Sequence, residues 1–118
     1  MDYKNTYTWK EITETPFVFD RLREANEETV KNICKDIKQS GKTNFVAAGR
    51  GASNNALIYF KYVLEVYSDY TVGFSAPSII TLYKGRANYS NSIILGVSQS
   101  GKAEDVLEVI RKGNDDGA

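Results

Sequence analysis

Apolar positions change their period along this chain, and each change marks an element. Three short apolar runs predict strands at Asn44–Ala48, Tyr70–Phe74 and Ser92–Val97, the second shorter and more polar than the others. Around them apolar residues recur at helical spacing. Val30, Ile33, Cys34 and Ile37 share one face of a helical stretch reaching Ser40. Ala56, Phe60, Val63, Leu64 and Tyr67 share one face of a second helix, and Ala103 to Lys112 carries a third. Pro77 to Tyr83 reads as a short helix and Lys84 to Asn91 as a polar connection.

The punctuation residues sharpen this reading. Thr15-Pro16 predicts a helix start, with Thr15 as N-cap and Pro16 at the first helical position. Ala25-Asn26 predicts a break into two helices, and Gly41 suits a C-terminal cap. The last helix is expected to stop near Gly113, ahead of the turn chemistry of Asn114-Asp115-Asp116-Gly117. Met1 to Lys10 has no clear period and reads as an extended arm. Cys34 lies on an apolar helical face, which predicts a small buried core residue rather than a nucleophile.

Strands alternating with helices imply an α/β fold: a parallel sheet covered by helices on both faces, in three α-β-α layers. The 118 residues are enough for one small domain with one core. Hydrophobic residues make up 42% and charged residues 25%, as in a soluble globular protein. The 15 basic residues balance the 15 acidic ones, and without a basic cluster this argues against a nucleic-acid partner. One cysteine cannot form an internal disulfide, and the absence of histidine removes the usual metal ligand and general base. No metal and no cofactor are expected. There is no membrane-length apolar run and no signal-peptide core at the N-terminus, so the chain is expected in the cytoplasm.

Candidate chemistry sits where the first and third strands hand over to helices. The first turn holds Gly49, Arg50, Gly51, Ala52 and Ser53; the second holds Ser98, Gln99, Ser100 and Gly101. In open parallel sheets ligands bind beyond the carboxyl ends of the strands. Free amides at a helix start, aided by the helix dipole, favour an anion, and phosphate is the commonest. Serine also caps helices without any ligand, so one such turn would be unremarked. Two on the same edge favour a site made of Gly51, Ser53, Ser98, Gln99, Ser100 and Gly101. A dinucleotide fingerprint is excluded because Asn54 stands where the third glycine belongs, and Asp69 precedes the second strand instead of ending it. No Gly-Lys-Ser/Thr follows a glycine loop, which excludes a Walker motif.

Ser98-Gln99-Ser100-Gly101 after a strand, with Gly51-Ala52-Ser53 ending an earlier one, resembles the sugar isomerase (SIS) domain. Lys10-Glu11-Ile12 through Thr15-Pro16 is similar to the start of the isomerase half of glutamine–fructose-6-phosphate aminotransferases, and the likeness extends to related phosphosugar deaminases and isomerases. The resemblance implies that Ser53, Ser98, Gln99 and Ser100 hold a sugar phosphate such as fructose 6-phosphate or glucosamine 6-phosphate, and that the protein is a homodimer. It divides the chain into residues 1–42, an arm and helical segment, and residues 43–118, a partial SIS domain truncated after its third strand. This chain departs from the family pattern at Lys102-Ala103, where Glu-Thr often follows the turn, and at Arg50 and Asn54. Catalytic acid–base residues of such enzymes lie beyond the matched region, so none is assigned. Three classes follow: the N-terminal part of a phosphosugar aminotransferase, isomerase or deaminase; a non-catalytic sugar-phosphate sensor; or a remnant that binds nothing.

Overall fold

The computed structural model describes residues 3–118. They divide between Ser40 and Gly41 into two compact units.

The first unit is a short 3-10 turn, Tyr3–Asn5, followed by one long helix, α1 (Tyr7–Ser40). Of the residues read above as an extended arm, Met1 and Asp2 lie outside the described residues and the rest are helical from Tyr7. The N-cap is Thr6, whose hydroxyl accepts from the Trp9 amide at 3.2 Å. Thr15 is therefore no cap. Its hydroxyl donates back to the Glu11 carbonyl at 2.9 Å, a bond available inside a helix. Pro16 is also internal. A proline there removes the amide that would bond the Ile12 carbonyl, and Ile12 is exposed, so water can serve that carbonyl. No break occurs at Ala25-Asn26, where the Asn26 side chain donates to the Leu22 carbonyl within the helix. Cys34 is exposed, against the expectation of burial. Val30 and Ile33, on the same face of α1, are exposed with it.

The second unit holds the sheet: β1 (Asn44–Gly49), α2 (Ala52–Tyr67), β2 (Thr71–Phe74), α3 (Ser78–Thr81), β3 (Ser92–Val97) and α4 (Glu104–Asp116). All pairing is parallel, in the order β2-β1-β3. Alternate side chains of β1 build two cores. Phe45 packs edge-on against Phe60 of α2 and against Tyr70, with ring centroids 5.6 and 5.5 Å away. Val46 and Ala48 face the other way, into a cluster with Tyr89, Val106, Val109 and Ile110. Helices thus cover both faces of a parallel sheet, the three-layer α/β architecture read from the alternation of elements.

Two helices differ in detail from the sequence reading. In α2 the inward face is Leu57, Phe60, Lys61 and Leu64, one residue round from the face expected, and Tyr67 is exposed. Lys61 belongs to that face because its stem lies along the core while its ammonium reaches the Val72 carbonyl at 2.7 Å and the Glu65 carboxylate. Helix α4 continues through Gly113 and is capped instead by Gly117, at φ 81. Gly113 has another task. It is buried against Ile94 of β3, while Gly96 of β3 lies against Ile110 and Val106 of α4. A glycine on each partner lets strand and helix approach closely.

Candidate functional site

The β1–β3 register places the two turns. Gly49, the last residue of β1, pairs with Val97, the last of β3. Both strands therefore end at one level, about 4.8 Å apart as hydrogen-bonded neighbours, and their turns leave the same sheet edge side by side.

In the first turn, a Cβ on Gly49 would stand 2.8 Å from Leu57 Cδ1 and 3.3 Å from the Val97 carbonyl oxygen, so glycine allows α2 to start close to the sheet. Gly51 at φ 56, ψ −129 occupies backbone space that only glycine enters readily. The bend lets the Gly51 carbonyl accept from the Asn54 amide at 3.0 Å and opens α2 at Ala52. Ser53 stands half-buried in that first helical turn.

In the second turn, Ser98 is half-buried, and Gln99, Ser100 and Gly101 are exposed. The Ser100 hydroxyl accepts from the Lys102 amide at 3.2 Å, a side-chain-closed turn. Gly101 reverses the chain at φ 67. Helix α4 then starts, with the Ala103 carbonyl accepting from the Val106 and Leu107 amides, each at 3.0 Å. The amides of Glu104 and Asp105 stand ahead of that ladder. The N-caps of α2 and α4 are Gly51 and Ala103, and neither makes a side-chain cap bond. Ser53 and Ser100 therefore are not helix caps.

All six candidate residues fall on these two adjacent turns. Two residues that sequence reasoning did not assign to the site join them. Arg50 Nη1 lies 3.1 Å from Asp105 Oδ2, an ion pair running from the first turn to the start of α4. Arg50 directly follows β1 whereas Asp105 lies inside α4, eight residues after β3 ends, so no spacing in the sequence pairs them. Glu104, the other acid of that helical turn, pairs with Arg111 at 2.6 Å, and Arg111 also holds Glu108. These carboxylates, Glu104 first, raise the Arg111 pKa above its ordinary value. Among the described residues no cluster of His, Cys, Asp or Glu could hold a metal ion.

This geometry defines a parallel α/β domain with paired serine-bearing turns at the carboxyl edge of its sheet. The chain carries an SIS-like domain, as its similarities show. It is 29% identical over 117 residues to a glutamine–fructose-6-phosphate aminotransferase (isomerizing) of Thermus thermophilus, a match covering 95% of this chain and 19% of that protein. The enzyme of the same description from Methanocaldococcus jannaschii is 28% identical over 102 residues, covering 86% of this chain and 9% of its own. Among solved structures, a Silicibacter pomeroyi protein provisionally assigned as a phosphosugar isomerase superposes with a TM-score of 0.87 at 28% identity, covering 92% of this chain and 33% of that one. No family model matches. The chain spans a fifth or less of the length of these curated relatives.

Proposed function

We propose that the chain binds a sugar phosphate, with the phosphate seated between the β1–α2 and β3–α4 turns, as part of a protein that aminates, isomerises or deaminates phosphosugars. The observation that carries this reading is the pairing of Gly49 with Val97. It sets Ser53 and the Ser98–Gly101 turn side by side, with neither Ser53 nor Ser100 acting as a helix cap. Gly51, Ser53, Ser98, Gln99, Ser100 and Gly101 are the proposed ligand-holding residues. Their hydroxyls and turn amides, with the start of α4, offer donors to an anion without a metal. The names of the relatives support a hexose 6-phosphate as ligand; fructose 6-phosphate and glucosamine 6-phosphate are the two to try first. No helix among the described residues is long and apolar enough to cross a membrane, and the proposed compartment is the cytoplasm, where phosphorylated sugars are metabolised. The proposed assembly is a homodimer.

Calorimetric titration with both phosphosugars, and with fructose and glucosamine as controls, tests the reading. Saturable binding of the phosphorylated sugars alone is expected. A folded chain that binds neither phosphosugar overturns it.

A further inference from the structure

Each turn of the proposed site is joined to the other by one charged partner. Arg50 leaves the first turn between Gly49 and Gly51, and Asp105 stands in the opening turn of α4. The Arg50 side chain is 75% exposed and that of Asp105 22%. A pair this open to water adds little to stability, so its main consequence is the field it leaves behind.

That field matters because of where Asp105 lies. The start of α4 attracts anions through its amides and dipole. A bare carboxylate in the same turn would cancel that attraction and repel a phosphate. Arg111 counters Glu104 from within α4, but the carboxylate of Asp105 is paired with Arg50, which comes from the neighbouring turn. The helix start keeps its attraction for an anion only while both acids are paired, and exposed Lys102 adds to it.

We propose that Arg50 is a positioning residue for anion binding that acts through Asp105: it cancels the carboxylate's field at the mouth of the site. The proposal rests on the phosphate-site reading above.

The test is a double-mutant cycle on the whole chain, titrated with fructose 6-phosphate and with inorganic phosphate. Arg50→Ala is expected to weaken binding about three- to tenfold, the scale of one unit charge acting over several Å near a wet surface. Asp105→Asn alone should bind as tightly as wild type or more tightly. Arg50→Ala with Asp105→Asn should recover to within about twofold of wild type, and Arg50→Lys should retain most of the affinity. Salt of about 0.5 M should shrink the Arg50→Ala loss. Thermal melts of all variants should stay close to wild type, separating binding from folding. A double variant as weak as Arg50→Ala would show Arg50 touching the anion directly and overturn the proposal, as would unchanged binding in Arg50→Ala or weakened binding in Asp105→Asn. A folded wild-type chain that binds neither anion removes the phosphate site itself, an outcome distinct from all of these.

Discussion

Gly113 of α4 and Ile94 of β3 are in such close contact that a Cβ on the glycine would overlap the branch of the isoleucine. Two effects of Gly113→Ala then oppose each other. Alanine improves helix propensity by about 1 kcal/mol. Overpacking a filled core costs about 1–3 kcal/mol, and the clashing atom, Cγ1, is not the free end of a flexible chain. The packing term wins, so the variant should lose stability. Urea denaturation that finds Gly113→Ala more stable than wild type would show that Ile94 can move aside.

This contact also explains a misreading of the sequence. A glycine near the end of a helical pattern is the ordinary sign of a cap, and Gly113 has a second glycine, Gly117, four residues on. Only the tertiary contact distinguishes a close-approach glycine from a capping one. The strands were legible because continuous apolar runs are what a sheet covered on both faces requires. The turns were legible because glycine and serine cluster there. Helix α1 was not, since Thr15-Pro16 is chemically identical whether it opens a helix or lies nine residues inside one. The Arg50–Asp105 pair was not, because 55 positions of chain separate residues that strand pairing brings together.

Gly51 should resist substitution for a conformational rather than a steric reason. Nothing lies within 4 Å of a Cβ placed on it, yet its φ is positive and its ψ is −129. Gly51→Ala should cost about 1–3 kcal/mol of backbone strain or reshape the turn. Either result should weaken phosphosugar binding, and a denaturant melt run beside the titration reads both. A variant equal to wild type in both measurements would show that the turn has a second, unstrained conformation.

Ser100→Ala tests the second turn. A hydrogen bond to a charged group contributes about 1.5–3 kcal/mol, so phosphosugar affinity should fall about tenfold or more. Ser100 is exposed, and the melting temperature should barely change. Unchanged affinity would remove Ser100 from the site.

Acid should loosen the contact between α4 and the connection before β3. The Asp116 carboxylate accepts from Lys112 and, at 2.9 Å, from the Tyr89 amide. The Lys112 bond first, then the Tyr89 amide, lower its pKa below the usual 3.8. A carboxylate lowered on folding contributes stability that is full above its unfolded value and is lost as pH falls through the folded one. Asp116→Asn should therefore be less stable than wild type at neutral pH, with the gap closing below about pH 4. Glu65, lowered by Lys61 and then by the Val72 amide, follows the same sign. A gap between Asp116→Asn and wild type that stays constant through the acid range would show that the contact does not depend on charge.

The proposed homodimer has a structural candidate in β3. Among the described residues this strand pairs only with β1, so half of its backbone groups face away from any partner strand. Ile93, Ile94, Leu95 and Val97 are all half-buried, and the strand carries no charge, proline or bulge that would discourage pairing. β2 is a poorer candidate, with four residues and a more polar sequence. Two copies related by a two-fold axis would bring β3 against β3 in antiparallel fashion, giving one continuous six-stranded sheet. Sedimentation velocity at low micromolar concentration should then show a dimer. Leu95→Lys sets a charge on the strand, a device by which natural edge strands avoid pairing, and should shift the protein to monomer. A cooperatively folded wild-type monomer at that concentration would show that the β3 edge does not recruit a second copy.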